Sequence, residues 1–503
     1  MILPGPGFHN STIMYGRAEE KNQILFLAIS IILILRLVCI GAMGIMPQDA
    51  YYHFYGEHLA LSYFDHPPMI AYLLRLFTTI FGKHVFALKL ADSIVSFLTL
   101  LVFFRLAKCF LGMNRAWNAV LIFFSTLMLT ILSLISTPDV PLLLFWTISL
   151  LMLYHAIFLE RKKYWIWSGI AMGLSFDSKY TGVALLGGLT LFLIFSKKYR
   201  SLLFSRWFCL CVLLFLVTIS PVIIWNVQNH FASFRFQSAG RMHSMNGIHF
   251  DLTDFAGLIG HQAAILIPVL FFSLFYFLFK FLKKSRWRFF IISQKNLFLL
   301  SFFLPLFLGF VLLSFIYWIK LNWIMPAYVS GIIWVSRYIS KKWIRYQVIF
   351  SAVIHIALAI ELFWYPFRIN SDDTWVGWPE LAEQVKSIKK SYPDAFIFSA
   401  DDYKTSAVLN FYVNEMVYSR NIIGKNALQF DFIGSDLNAL AGRSAIFINS
   451  VNGLTDEEKN DMQSELQEYF DSISPLQPIL VMKGGNPVRK FSVYLCRNYH
   501  PKK

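Results

Sequence analysis

Residues 46–68 hold the acidic side chains of this chain that are best placed to do chemistry. Asp49, Glu57 and Asp65 lie among aromatic residues and three histidines, directly after the first long apolar run. A carboxylate at the boundary of an apolar segment is costly to desolvate, so proteins keep such residues mainly where they have a function. Because an ionised carboxylate can accept a proton, the segment indicates general acid–base chemistry at the edge of a membrane.

Asp139 and several basic residues extend this set. Asp139 begins an apolar run and is expected at the same surface as residues 46–68. A phosphate leaving group is stabilised by cations beside span ends. The candidate cations are Lys179, Arg235, Arg241 and Lys320. Lys179 lies between two short apolar runs, where an unpaired ammonium is unfavourable. It could instead pair with Asp177 or extend to the interface, and any single acid could be a helix cap or half of an ion pair.

Three of these side chains also raise the question of a metal. Asp49, His53 and Asp65 could hold a divalent cation, although their spacing matches no strong ligand motif. His66 is followed by two prolines. Because proline fixes the backbone, this segment also reads as a rigid turn. The spacing alone leaves both interpretations open.

The composition defines the class of protein that must position these residues. Of the 503 residues, 57% are hydrophobic and 15% are charged, which excludes an ordinary soluble domain. The apolar residues fall in blocks of roughly 18–25, the length that crosses a bilayer. The formal net charge of +16 comes from short basic bridges such as 160–163 and 341–345, which is typical of cytoplasmic loops and not of a nucleic-acid surface. The five cysteines show no disulfide or metal pattern.

The sequence therefore predicts a polytopic α-helical membrane protein with about eleven spans and a C-terminal soluble α/β domain. The expected divisions are a cytoplasmic N-terminus 1–22, a membrane domain 23–367 and an extracytoplasmic domain 368–503. The expected spans are 23–45, 85–106, 117–135, 139–159, 164–178, 180–196, 207–226, 255–280, 296–318, 322–340 and 346–366. Residues 47–84 form the first outer connection, which includes an amphipathic helix around 72–77.

The last segment has the patterns of an ordinary α/β domain. An amphipathic helix is expected at 378–391 and a second helix at 457–473. Strands are expected at 395–399, 445–449 and 478–482. Residues 484–487, Gly-Gly-Asn-Pro, are expected to be a turn and not a phosphate-binding loop.

Several short motifs together resemble a known family. Tyr51-Tyr52 and Asp65-His66-Pro67-Pro68 are similar to the first outer loop of bacterial members of the protein O-mannosyltransferase superfamily, also called dolichyl-phosphate-mannose-protein mannosyltransferases. These are glycosyltransferases of the GT-C fold, and the lipid A aminoarabinose transferase is a relative. Further similar motifs follow in order at 137–141, 178–181, 221–226, 231–234, 320–323 and 403–412.

The resemblance implies a polyprenyl-phosphate-linked sugar donor, a reaction on the extracytoplasmic face and inversion at the anomeric carbon. The family's catalytic pair is Asp-Glu, but here Gln48 stands at the Asp position and Asp49 at the Glu position. Since glutamine cannot act as a base, the role falls to Asp49, Asp65 or Asp139, or the activity is altered. The expected arrangement is that Asp49 deprotonates or orients the acceptor hydroxyl, while Asp65 and Asp139 shape the pocket or hold an ion. The motifs also imply a substrate-binding set, made up of Gln48, Tyr51, Tyr52, His66, Lys179, Tyr180, Asn226, Arg235, Arg241, Lys320 and Asn322.

The predicted function is transfer of a sugar from an undecaprenyl-phosphate carrier to an envelope acceptor, either lipid A, another glycolipid or a protein. The predicted location is the bacterial inner membrane. No cofactor is required, although a divalent cation could take part. A transporter or flippase of lipid-linked sugars is the main alternative, but it would place acids near the bilayer midplane and show broken helices in two related halves. A binding or assembly protein is the third class, and it would leave the first-loop carboxylates unexplained.

Overall fold

The computed structural model of the chain consists of a bundle of apolar helices followed by a mixed sheet with its own helices. The residues it describes are 23, 27, 29–32, 34–240, 250–284, 292–369, 371–451 and 456–501. The predicted cytoplasmic segment 1–22 and the candidate Arg241 lie outside them.

The helices of the first part, numbered in chain order, have the following bounds. They are α1 (Ile29–Ala42), α2 (Pro47–Glu57), α3 (Met69–Phe81), α4 (Val85–Leu111), α5 (Met113–Phe124), α6 (Leu127–Leu134), α7 (Asp139–Ile157), α8 (Tyr164–Ser178), α9 (Ala184–Phe195), α10 (Arg206–Thr218), α11 (Ser220–Gln228), α12 (Ala232–Arg235), α13 (Leu252–Leu266), α14 (Pro268–Lys284), α15 (Gln294–Leu313), α16 (Met325–Val335) and α17 (Lys341–Trp364).

Their length and composition are those of a multi-pass membrane protein. Within the described residues, four helices (α4, α7, α15 and α17) are long and apolar enough to cross a membrane. Four further helix pairs meet the same criteria together but are bent by more than 40° at a short break. The eleven-span count stays a prediction.

At two of these breaks, polar side chains inside the bundle form hydrogen bonds with backbone groups. Between α5 and α6, the Ser125 hydroxyl donates to the Ile122 carbonyl at 2.7 Å. Between α13 and α14 the axis bends by 111°, and Ile267 has a φ of 68°, which is rare for a β-branched residue. Gln347 of α17 accepts from the Leu270 amide at 3.0 Å and donates to the Leu266 carbonyl at 2.9 Å. The Leu270 amide also donates to the Ile267 carbonyl at 3.1 Å, so Gln347 supplies the Leu266 carbonyl with a donor and the Leu270 amide with a second acceptor at the bend.

Four predicted spans need correction. Those expected at 117–135 and 207–226 are each divided into two helices, at breaks bent by 62° and 45°. The other two differ for a local reason. The span expected at 255–280 is divided at Ile267, because the chain turns there and Pro268 starts a new helix. The span expected at 322–340 is helical only over Met325–Val335, because residues 314–324 form turns and irregular backbone instead.

The C-terminal part is an α/β domain built on one sheet. Its helices are α18 (Trp378–Ser391), α19 (Lys404–Tyr412) and α20 (Asp456–Gln467). Its strands are β1 (Phe396–Phe398), β2 (Val417–Tyr418), β3 (Ala445–Ser450), β4 (Phe470–Pro475), β5 (Ile479–Lys483) and β6 (Asn486–Tyr499). The spatial order is β2-β1-β3-β6-β4, and β5 also pairs with β6. The first three strands are parallel to one another, whereas β6 is antiparallel to β3, β4 and β5.

The predicted α18 and the strands near 396, 445 and 479 are confirmed, as is the turn at Gly484 and Gly485, which joins β5 to β6 with positive φ at both glycines. The helix expected at 457–473 is too long. It ends at Gln467, and residues from Phe470 onward form β4 against β6.

The first outer connection and the C-terminal domain share one apolar core. Tyr51, Phe54 and Leu74 of the connection belong to the same buried cluster as Val408 and Phe430 of the domain. Removing apolar side chains from water stabilises the folded state. Residues from both ends of the chain therefore hold α2 and α3 in place.

Candidate active site

A cavity of about 380 Å³ lies beside the outer connection, among the residues that follow α8 and α15. The lining residues divide into a polar and an apolar group. They are His66, Lys179, Tyr180, Thr181, Gln237 and Ser238 in the first group, and Phe310, Leu313, Tyr317 and Trp323 in the second. An apolar cleft with a few convergent polar groups is the usual form of a small-molecule site. This one suits a ligand with a polar head and an apolar tail.

Lys179 contributes the positive charge at this cavity. Its Nζ bonds both carboxylate oxygens of Asp139, at 2.8 and 2.9 Å, and Asn322 Nδ2 donates to the same carboxylate at 2.5 Å. The pair meets because α7 starts at Asp139, α8 ends just before Lys179, and the two helices pack side by side after a short connection. The partner is thus Asp139 and not Asp177, the pairing considered from the sequence.

The backbone around Lys179 depends on a glycine. A Cβ at Gly182 would lie 2.5 Å from the Phe176 amide nitrogen and from the Ser175 carbonyl carbon. Only a residue without a side chain lets the chain fold this tightly back on α8. An ammonium has three N–H donors, and both bonds seen from Lys179 go to Asp139. The third N–H is therefore the group that could meet a phosphate oxygen.

Asp65 lies in the turn that supplies His66 to the cavity wall. Its carboxylate accepts hydrogen bonds from the hydroxyls of Tyr51, at 3.2 Å, and Tyr55. The two tyrosines are four residues apart on α2, so both point from one helical face. Gln237, which also lines the cavity, donates to the Asp65 carbonyl at 2.6 Å. The turn is thereby fixed from two sides.

Asp49 has a different environment from Asp65. It is fully buried, and its carboxylate accepts from the Met46 and Ser136 amides, each at 2.8 Å. It also forms an ion pair with Lys89 of α4, whose side chain is equally buried. Asp49 does not line the cavity. Its bonds join the start of α2 to α4 and to the segment before Asp139, which is the geometry of a structural anchor.

Gln48 faces the C-terminal domain. Its Nε2 donates to Asp373 Oδ1 at 2.9 Å, and the Tyr403 ring lies 4.4 Å from that of Tyr51. Burial, together with the nearby carboxylates of Asp373 and Asp65, raises the pKa of the Tyr403 phenol above its ordinary value, so this hydroxyl stays neutral. Gln48 and Tyr403 therefore contribute polar but uncharged groups between the outer connection and the domain.

Other predicted residues form a second polar group. Tyr180 lines the cavity, and its hydroxyl lies 2.5 Å from Ser233 Oγ. Asn226 accepts from the Phe234 amide at 3.2 Å and so supports the chain at the end of α11. The Tyr52 ring is 5.9 Å from that of His66. The structure thus brings Tyr52, His66, Lys179, Tyr180 and Asn322 to or next to the cavity.

Two predicted cations do not line it. Arg235 is exposed at the end of α12, and Lys320 is exposed in the turn before α16. Their proposed contacts with a donor phosphate have no support in the positions of their side chains.

The hypothetical metal ligands are also separated. Asp49 is paired with Lys89, Asp65 with two tyrosines, and His53 Nδ1 lies 3.7 Å from Glu57. Among the described residues, no three His, Cys, Asp or Glu side chains form a group that could hold a metal. The structure therefore gives no support to an ion at Asp49, His53 and Asp65.

Sequence reasoning missed Lys89, Tyr55 and Gln237. The lysine had a visible signal, since it stands with Asp92 inside an otherwise apolar predicted span. Tyr55 could have been found one helical turn after Tyr51. Gln237 carried no signal beyond its place in a polar connection.

Comparisons with known proteins agree with this architecture. Residues 65–225 match the family model described as dolichyl-phosphate-mannose-protein mannosyltransferase. A lipid A galacturonosyltransferase, RgtD of Rhizobium johnstonii, is 25% identical over 305 residues, which span 59% of this chain and 61% of that protein. The crystal structure of ArnT from Cupriavidus metallidurans bound to undecaprenyl phosphate is similar at a TM-score of 0.60. It is 14% identical, and the match covers 94% of this chain and 97% of that one. Its apo form gives a TM-score of 0.58.

The predicted resemblance is confirmed as far as the family-model match over residues 65–225 and the fold that the chain shares with ArnT extend. At 14% identity the ArnT structures establish the fold alone, and the RgtD match covers about three fifths of that protein.

Proposed function

We propose that this chain is a glycosyltransferase that moves a sugar from a polyprenyl-phosphate carrier, such as undecaprenyl phosphate, to lipid A or a similar glycolipid. The observation that carries the proposal is the cavity, which combines Lys179, His66 and Tyr180 with an apolar group from α15 and the turn after it. A lipid-linked sugar phosphate has the same division into a charged head and a prenyl chain. The printed descriptions of RgtD as a lipid A galacturonosyltransferase and of ArnT bound to undecaprenyl phosphate support the same class of substrates.

In the proposed reaction, Asp65 accepts the proton of the acceptor hydroxyl. The acceptor oxygen forms a bond to the anomeric carbon, while the bond from that carbon to the phosphate oxygen breaks and the electron pair leaves with the phosphate. Lys179 donates an N–H to this phosphate, which is most favourable as its negative charge develops. Attack from the side opposite the phosphate inverts the anomeric carbon. Asp139 and Asn322 hold Lys179 in place.

The choice of Asp65 rests on its surroundings. Asp49 is sealed by Lys89 and two amides, and Asp139 is bound by Lys179 and Asn322. Asp65 is bound by neutral hydroxyls and is next to His66 at the cavity wall. A carboxylate that accepts from tyrosine hydroxyls beside the cavity wall is better placed to take up a proton than one held by a lysine ammonium. No cofactor is needed for this step, and a divalent cation stays a prediction.

The proposed location is the inner membrane of a bacterium, with residues 23–367 spanning it and 368–503 on the extracytoplasmic side. The domain would cover the outer connection and help to select the acceptor, since it packs against α2 and against Phe64 in the turn that carries His66.

The proposal is tested by mass spectrometry of lipid A and other surface glycans with and without the gene, and by transfer assays with the purified protein. Asp65→Asn should lower turnover by about 10²–10⁴-fold, the usual contribution of a positioned base. The matched control is Glu57→Gln, which changes a carboxylate of the same connection that is paired with Lys83 at the surface. An unchanged glycan profile after deletion would reject the glycosyltransferase, and export of lipid-linked sugar without transfer would favour the flippase.

A further inference from the structure

The C-terminal domain reaches the Asp65 turn through one short segment, residues 427–433. Phe430 stacks on Phe54 of α2 with ring centroids 4.7 Å apart, and Phe432 stacks on Phe64 at 5.3 Å. Phe64 immediately precedes Asp65 in the chain. The segment is therefore packed against both the helix and the turn that carry the proposed base.

Gln429, immediately before Phe430, makes one polar contact with the same turn and one with α2. The Phe64 backbone amide donates to Gln429 Oε1 at 2.7 Å, and the backbone N–H of Gln429 donates to the Tyr51 hydroxyl oxygen at 3.3 Å. Tyr51 in turn donates to Asp65 Oδ1 at 3.2 Å. Gln429 is 2% exposed, so water does not compete for these bonds. Gln429 thus contacts two residues next to Asp65, the Phe64 amide through its side chain and the Tyr51 hydroxyl through its backbone.

The conformation of the segment is set within the domain. Leu428 has a φ of 55°, a left-handed conformation that costs a non-glycine residue about 1–3 kcal/mol. Asn426 Oδ1 accepts from the Leu428 amide at 3.0 Å, and Asp431 Oδ2 accepts from the Ala427 amide at 2.9 Å. These local bonds offset the strain and present Gln429 in one orientation. Such strain is maintained mainly where the geometry matters for function.

We propose that Gln429 is a positioning residue for the transfer reaction: its side chain orients Asp65 through the Phe64 amide, while its backbone N–H supports the Tyr51 hydroxyl. The inference rests on the proposed function of Asp65. It gives the C-terminal domain a part in the chemical step in addition to the selection of the acceptor. A buried amide left without its acceptor costs about 1–3 kcal/mol, which is enough to shift the turn away from its productive geometry.

The test compares Gln429→Met, which has a similar shape but no strong acceptor, with Gln429→Glu, which keeps an oxygen at the same reach. Gln429→Met should lower kcat about tenfold with the KM for acceptor unchanged, because only the transition state requires the oriented carboxylate. Gln429→Glu should recover a large part of the loss. A residue that only docks the acceptor would instead raise KM at constant kcat, and this result would overturn the proposal.

A double-mutant cycle with Tyr51→Phe separates positioning from general packing. If both residues act on Asp65, their effects on kcat should be clearly non-additive, and strict additivity would count against the proposal. Binding of undecaprenyl phosphate should be unchanged in Gln429→Met. Loss of this binding together with kcat would mean that Gln429 only maintains the fold, and the proposal would fail.

Amide hydrogen exchange at Phe64 distinguishes this proposal from the proposed function, because it needs no turnover. Loss of Phe64 protection in Gln429→Met, with protection elsewhere in α2 intact, supports the contact even if the wild-type protein transfers no sugar in the assay. An inactive wild-type protein rejects the proposed function, whereas an active wild-type protein with full kcat in Gln429→Met rejects the positioning role alone.

Discussion

The buried ion pair between Asp49 and Lys89 offers the sharpest test of which acid does the chemistry. Both side chains are fully buried, and Asp49 also accepts from the Met46 and Ser136 amides. Asp49 occupies the position of a catalytic acid in the family pattern, yet its geometry is that of an anchor. Single and double substitutions of the pair separate these two roles.

Removing one partner of a buried ion pair typically destabilises a protein by about 3–5 kcal/mol, because the other charge is left without compensation. The loss of unfolding free energy in Lys89→Met should lie at the upper end of this range, since the substitution leaves Asp49 near Asp92, a second fully buried carboxylate. The loss in Asp49→Asn should lie at the lower end, since the side-chain oxygen of the introduced asparagine can still accept a hydrogen bond from a backbone N–H. The double variant removes both charges of the pair and should regain most of the lost stability.

The assay measures the free energy of unfolding by SDS titration in mixed micelles, together with sugar transfer. We expect the double variant Asp49→Asn/Lys89→Met to be close to wild type in both. The control is Glu57→Gln/Lys83→Met, which removes an exposed pair at 2.7 Å and should change stability by no more than about 1 kcal/mol. A double variant that is stable but inactive would refute the reasoning and assign the base to Asp49.

Three further predictions follow from other contacts. Lys179→Met should lower kcat/KM for the lipid-linked donor by about 10²–10³-fold, the usual effect of losing one donor to a developing anion; a smaller loss would place the phosphate elsewhere. Gln347→Leu should destabilise the protein in SDS titration by about 1–3 kcal/mol, because the Leu266 carbonyl at the α13–α14 bend loses its donor, whereas Phe350→Leu on the exposed side of the same helix should have little effect. Burial and the nearby Asp372 raise the pKa of Asp401 to about 6. Since the carboxyl is then harder to ionise in the folded state, its contribution to stability should increase as pH falls from about 7 to about 5, and Asp401→Asn should lose this dependence in thermal unfolding.

The sequence predicted the fold well wherever a local pattern determines structure. The apolar blocks became helices, and the amphipathic pattern at Trp378–Ser391 gave a helix with those bounds. The pattern failed at Ile267, because a sharp bend stabilised by Gln347 from a distant helix leaves no trace in hydropathy. It also failed after Gln467, where helix and strand periodicities overlap and pairing with β6 decided the outcome.

The candidate site was predictable only in part. His66, Lys179 and Tyr180 were identified and do line the cavity. The Lys179–Asp139 pair could have been derived from the helix order, since a residue at the start of α7 and one after the end of α8 lie at the same membrane surface when a short connection joins the two helices. The contact between Gln429 and the Asp65 turn could not, because it depends on the docking of two segments that are far apart in sequence.

The shared core of the outer connection and the C-terminal domain also constrains how chains of this fold can be recombined. Residues 47–84 and 368–501 bury their aromatic rings against each other, although most of the membrane helices lie between them in the chain. A chimera that exchanges the domain alone would leave Tyr51, Phe54 and Phe64 facing foreign surfaces. The two segments therefore form one structural unit. A chimera that is meant to transfer the proposed acceptor specificity between relatives would have to exchange both segments together.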